Sequence, residues 1–129
     1  MNTDTQLPLV DEALTERIIG AVIDVSNELG AGFLESVYQK ALLIALAERG
    51  LKAQAQVPLE VHFHGQMVGQ FYADILVENR VLIEIKAAKA LTDEHKAQLI
   101  NYLRATGIKV GLLVNFGKPK AEWKRVICS

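Results

Sequence analysis

The chain has 129 residues, half of them hydrophobic and 22% charged, with a formal net charge of −1. That length suits one domain with a real core. The charge balance excludes a global basic field, so any contact with nucleic acid needs a local patch. The only cysteine, Cys128, excludes an internal disulfide and a cysteine-built metal site, and it fits a reducing cytoplasm. No signal-peptide pattern is expected at the acidic N-terminus. No apolar run approaches the ~20 residues that cross a bilayer, so no membrane partner is expected.

Residues 1–10, polar with Pro8, are expected to form a flexible N-terminal arm, and residues 11–129 a single domain. From about 12 to 29, Leu14, Ile18, Val22, Val25 and Leu29 recur at three- and four-residue steps. This predicts an amphipathic helix that Gly30 ends. A second helix is predicted over 34–49, with Gly50 as its stop. Two short-looped helices imply an antiparallel pair packed on something larger. The pattern then turns to strands. Residues 56–63 alternate, and Pro58 points to an edge or a bulge. Gly65 marks a turn, residues 66–77 return, and Glu78-Asn79-Arg80 leads into 81–87. The third helix starts at Thr92 as N-cap, with Asp93 and Glu94 in its first turn, and Gly107 ends it. Residues 109–115 are nearly all apolar, which predicts a central strand buried on both faces. A helix between two strands suggests a parallel crossover. The basic tail, 117–129, has room for a short edge strand at 126–128. The order ααβββαβ is an α/β domain with a mixed sheet.

One strand of this set is chemically unusual. Alternation places Leu82, Glu84 and Lys86 on one face and Val81, Ile83 and Ile85 on the other. Asp74 lies on the preceding strand. A two-residue turn would set Asp74 opposite Ile83, whereas a three-residue turn at Glu78-Asn79-Arg80 sets it opposite Glu84. Taken alone, the group reads equally as a solvated face with a Glu84–Lys86 ion pair. Read as a site, Asp74 and Glu84 suit a hard cation such as Mg²⁺ (or Mn²⁺), and Lys86 would orient the attacking water or stabilise developing charge. Gln98 and Tyr102 share a face of the third helix and are placed over the same cleft. Glu35 and Tyr38, three apart at the start of the second helix, also share a face. His62 and His64 flank Phe63 and are read as solvated on an edge strand. His95 is read as exposed. The segment from Lys118 to Arg125 surrounds Trp123 with bases and could touch a phosphate backbone, or simply pack its tryptophan down.

Together these residues resemble a known family. Gly32, Glu35 and Tyr38 match the signature of the small bacterial GxxExxY proteins, assigned to the PD-(D/E)XK nuclease superfamily. Asp74 followed by Glu84-Ile85-Lys86 is similar to that superfamily's D…ExK core. Thr92 through Tyr102 resembles its Gln-x-x-x-Tyr helix, and the stretch from Gly111 to Gly117 its last core strand. The proline that often precedes the aspartate is replaced by Ala73. The resemblance implies a restriction-endonuclease-like αβββαβ core with one extra N-terminal helix. It implies Asp74 and Glu84 as metal ligands, Lys86 as the catalytic lysine and Glu35 as an accessory catalytic acid. Gln98, Tyr102 and Tyr38 become substrate-contacting or supporting residues. The implied function is Mg-dependent hydrolysis of phosphodiester bonds in DNA or RNA, as an endo- or exonuclease, in a chain whose relatives of this size commonly form homodimers. The alternative is a catalytically silent nuclease-fold module for nucleic-acid binding or assembly.

Overall fold

The protein, seen here as a computed structural model, is described over residues 11–128. The arm expected over residues 1–10 lies outside the described residues. The elements in order are α1 (Glu12–Leu29), α2 (Glu35–Glu48), β1 (Ala53–Phe63), β2 (Gln66–Val77), β3 (Val81–Lys86), α3 (Asp93–Thr106), β4 (Val110–Asn115) and β5 (Glu122–Ile127). The strands form one sheet in the order β1-β2-β3-β4-β5. All neighbours are antiparallel except β3 and β4, which run parallel with α3 between them in sequence. This is the mixed α/β sheet that the sequence predicts. Two elements are longer than expected. β1 starts at Ala53 rather than at 56, and the tail strand starts at Glu122 rather than at 126. β5 extends because it pairs along the whole of β4, from Asn115↔Glu122 to Val110↔Ile127. Every residue of β4 is buried, as a strand flanked on both sides and covered on both faces must be.

The alternation of β3 builds two cores. Val81, Ile83 and Ile85 face α1 and α2, where Ile18, Val22, Leu42 and Leu46 meet them. Leu82 faces α3 and packs with Leu99, Leu103, Leu113 and Val126. Each such fully buried aliphatic side chain contributes roughly 1.5–3 kcal/mol by leaving water. The core on the α3 side is the smaller of the two, and it is this side that carries the charged residues of β3.

The β2–β3 pairing runs Ile75↔Ile83, Leu76↔Leu82, Val77↔Val81. The connection is therefore three residues, Glu78, Asn79 and Arg80, and the same register sets Asp74 level with Glu84. Glu78 and Asn79 both adopt left-handed backbone, at φ 54° and 55°. The Glu78 carboxylate fastens the turn by accepting the Lys52 amide at 2.6 Å. On the other side of β2, the β1 ladder pairs Ala55↔Ile75 and Val57↔Ala73 and skips Gln56 opposite Asp74. Gln56 is left-handed at φ 53°, a conformation that costs a non-glycine residue about 1–3 kcal/mol. Its side chain donates to Gln39 Oε1 of α2 at 2.8 Å. Ala53 and Ile75 pack on the α1/α2 side, but Val57 and Ala73 pack on the α3 side. The sheet changes its facing at Asp74, so the outer half of the β1–β2 hairpin leans over α3.

Candidate active site

Asp74 and Glu84 stand where the β2–β3 ladder opens. Beyond Ile75↔Ile83 the backbone pairs give way to side chains. Glu84 Oε1 accepts the Asp74 amide at 3.1 Å, and Asp74 Oδ2 accepts the Ile85 amide at 2.7 Å. Each acid thus takes a backbone donor from the opposite strand, which replaces part of the water both have lost. Glu84 is 5% exposed and Asp74 is half-buried. Burial, and then the charge of Asp74, pushes the Glu84 carboxyl up to about 8. Burial likewise raises Asp74, against the lowering effect of the Ile85 amide, and the two carboxyl groups are near enough to hydrogen-bond. Two acids held this close cannot both ionise without a compensating positive charge.

Lys86 continues the same face of β3. Its Nζ donates to Gln98 Oε1 at 3.0 Å, and Gln98 Nε2 donates to the Tyr102 hydroxyl at 3.3 Å. The reach depends on where α3 begins. Thr92 Oγ1 accepts the His95 amide while His95 Nδ1 accepts the Thr92 amide, both at 3.2 Å, a reciprocal cap that locks the first turn. His95 is half-buried in that cap rather than exposed as expected. Tyr102 is 8% exposed, and burial together with the charges of Glu84 and Asp74 raises its phenol. Asp74, Glu84, Lys86, Gln98 and Tyr102 therefore form one connected group.

Glu35 and Tyr38 part company. Glu35 is exposed at the start of α2, and its charge acts on both Asp74 and Glu84. Tyr38 is fully buried on the α1/α2 side, stacked on Phe116 at 4.7 Å, so it is removed from substrate contact. Its hydroxyl donates to the Gly30 carbonyl at 2.6 Å and accepts the Phe33 amide at 3.2 Å. That closes the loop before α2, in which Gly32 takes φ 115°, a backbone only glycine adopts easily. The Gly32, Glu35 and Tyr38 spacing thus has a physical reading. The glycine makes the turn, the tyrosine clamps it, and the acid is presented at the helix start.

The other candidates lie elsewhere. His62 sits 3.5 Å from Glu60, and His64 stacks on Phe63 in the hairpin turn. Trp123 lies near Ile23 and Ser26 of α1, on the sheet face opposite Lys86, and Lys118 pairs with Glu122 at 3.0 Å.

The donors fit a hard divalent cation. They are carboxylate oxygens from two strands, both raised chiefly by burial although the Lys86 charge acts to lower them. Among the described residues no group of three or more His, Cys, Asp and Glu forms a ready cage. The family model of the PD-(D/E)XK nuclease superfamily matches residues 12–126. This chain belongs to the PD-(D/E)XK nuclease superfamily. Nucleases of that superfamily usually use divalent metal ions. No protein of curated function matches the chain. Two solved structures share its fold. One is SSO0001, at 21% identity and a TM-score of 0.59, covering 91% of this chain and 58% of its own. This superfamily member thus spans little more than half of that protein. The other is an alkaline exonuclease from Laribacter hongkongensis, at 13% identity and a TM-score of 0.50, covering 89% of this chain and 82% of its own. Among the described residues no helix is long and apolar enough to cross a membrane.

Sequence reading passed over Asn115 as a working residue. It is fully buried at the end of β4. Its Oδ1 accepts the amides of Ala88 and Gly117, and its Nδ2 donates to the Ala88 carbonyl and to Glu122 Oε1. Gly117 must be glycine because a Cβ would collide with the Ala88 backbone. This clamp fixes the chain just after Lys86, whose carbonyl accepts the Phe116 amide at 2.9 Å. A lone amide at the end of an apolar strand, two residues before a glycine, was the available signal.

Proposed function

We propose that this protein is a nuclease of the GxxExxY group that uses Mg²⁺ or Mn²⁺ to hydrolyse phosphodiester bonds in DNA or RNA. The observation that carries the reading is the Asp74–Glu84 pair, facing each other across two strands with Glu84 buried, and Lys86 beside it on the same face and tied to Gln98. When bound there, a divalent cation supplies the positive charge that draws in a phosphate and offsets charge in the transition state. Asp74 Oδ1 and the free lone pairs of Glu84 are the atoms left to hold it. Glu84, whose carboxyl burial pushes up, would have to be ionised to hold an ion there. Lys86 Nζ keeps two N–H groups beyond Gln98, enough to orient the attacking water and to donate to a nonbridging phosphate oxygen. The Tyr102 hydroxyl accepts from Gln98 and keeps its own proton to donate. Glu35 acts as an accessory acid at the edge of the site. The reading includes one domain over 11–129, a reducing cytoplasm consistent with the free Cys128, and a homodimer.

The test is cleavage of single- and double-stranded DNA and RNA with Mg²⁺ or Mn²⁺, beside Glu84→Ala and Lys86→Ala. Metal-dependent cleavage that either substitution abolishes is expected. Cleavage that survives both would overturn the mechanism. Salt-sensitive binding without cleavage would point instead to a silent nucleic-acid-binding module.

A further inference from the structure

A groove of about 900 Å³ runs between the outer β1–β2 hairpin and α3, within the size range of small-ligand sites. Gln98 and Tyr102 line it, and they are the same two residues that reach Lys86. The groove therefore adjoins the site at Gln98, whose side chain is its link to Lys86. The change of facing at Asp74 creates it by tilting the hairpin over the helix. A β-bulge at Val61/His62 adjusts the far end.

The groove's chemistry selects its occupant. Phe71 offers a ring 43% exposed, 5.8 Å from the Tyr102 ring and tilted 39° to it. Asn101, exposed on α3 one residue before Tyr102, has an amide that bonds no described residue. Arg104 makes no ion pair with any described residue. Glu60 and Glu94 also line the groove. Carboxylates there disfavour a run of phosphates, so this is no track for the backbone. An aromatic face with an amide and a guanidinium beside it suits a heterocyclic base instead.

We propose that this groove holds an unpaired nucleobase next to the scissile phosphate, stacked on Phe71 and hydrogen-bonded by Asn101. The proposal rests on the nuclease reading above and narrows it. A base can enter only if it has left its stack, so the preferred substrate is a single strand or a frayed end, of DNA or of RNA. Phe71 and Asn101 set that preference.

The experiment measures binding of the whole protein in EDTA, where metal-dependent turnover is prevented. Fluorescein-labelled single strands of DNA and of RNA are compared with blunt duplexes of the same sequence. The single strand of at least one polymer is expected to bind about tenfold tighter than its duplex, in line with the worth of one stacked base. Phe71→Ala should bring that ratio close to one, while Phe71→Tyr should keep it. Asn101→Ala, at an exposed helix position that needs no packing, should lower single-strand affinity a few-fold. Equal binding of strand and duplex by the wild type, or a Phe71→Ala effect that is equal on both, overturns the groove assignment. Cleavage by the wild type in Mg²⁺ would then leave the nuclease reading standing. Loss of both binding and cleavage overturns both.

Discussion

The two faces of β3 come from alternate residues of one hexapeptide, yet they carry opposite chemistry. Val81, Ile83 and Ile85 are at most 1% exposed and lie under two helices. On the other face only Leu82 joins a core, and beyond it come the buried Glu84 and then Lys86, which reaches Gln98 of α3. The difference shows how a small domain keeps a buried acid pair. The charge sits where the helix cover runs out and where the sheet releases its own amides. Asp74 and Ile85 give the carboxylates the donors that a regular ladder would have spent on carbonyls. The apolar face supplies the rigidity that holds this opening in place.

Glu84→Gln attacks the charged face with almost no change of shape. We expect cleavage to fall by about 10²–10³-fold, the scale of removing one transition-state-stabilising group. The same variant should unfold at a higher temperature than wild type at pH 8, because the buried charge is gone. Steady-state cleavage and a melting curve check the two halves, and wild-type turnover would take Glu84 out of the site. Ile83→Ala attacks the apolar face. Its side chain is fully buried, so the cavity should cost about 3 kcal/mol in urea unfolding. Cleavage per folded molecule should change little. A large loss of turnover with normal stability would mean that the two faces are not separable.

Much of this division was legible in the chain. The helices followed from apolar periodicity, and the opposition of Asp74 and Glu84 followed from one condition, a three-residue turn, which the register meets. What was not legible depends on contacts distant in sequence. Helical spacing put Glu35 and Tyr38 on one face. Spacing says nothing of where a helix end stands relative to the sheet, so Tyr38 is in the core while Glu35 is in solvent. Strict alternation along β2 hid the change of facing at Asp74, because it coincides with a left-handed Gln56 that the ladder skips on the neighbouring strand. Without that change Phe71 would not lean over α3. His95 read as a surface histidine because a reciprocal cap needs the Thr92 amide to be free, which only the start of the helix decides.

The pH dependence of the protein without metal sharpens the comparison. The folded pKa of Glu84, about 8, lies above its ordinary 4.5, so the native state holds the proton more tightly than the unfolded chain. Stability then falls as pH rises, since the native state binds more protons in that window. The penalty is absent below about 4.5 and complete above about 8. Between pH 5 and 7 it amounts to about 2 kcal/mol. The raised Asp74 works in the same direction. Unfolding wild type beside Glu84→Gln across this range isolates the effect, and a flat difference would remove the buried acid. Added Mg²⁺ should restore stability most at the high end, where binding no longer has to displace a proton.

The smallest expected effect tests the link between the faces. Tyr38→Phe keeps the ring stacked on Phe116 and removes only the hydroxyl that holds the Gly30 carbonyl and the Phe33 amide. Two hydrogen bonds of a buried group are lost, for about 1 kcal/mol of stability. The loop they close leads directly into Glu35. If that acid works at the site, Tyr38→Phe and Glu35→Gln should each lower cleavage a few-fold, and the double variant should be no worse than Glu35→Gln alone. Additive losses would mean that Tyr38 supports the core and not the acid. Equal losses from the single and double variants would mean that a fully buried tyrosine on the apolar side is felt on the charged side through one loop of five residues, 30–34.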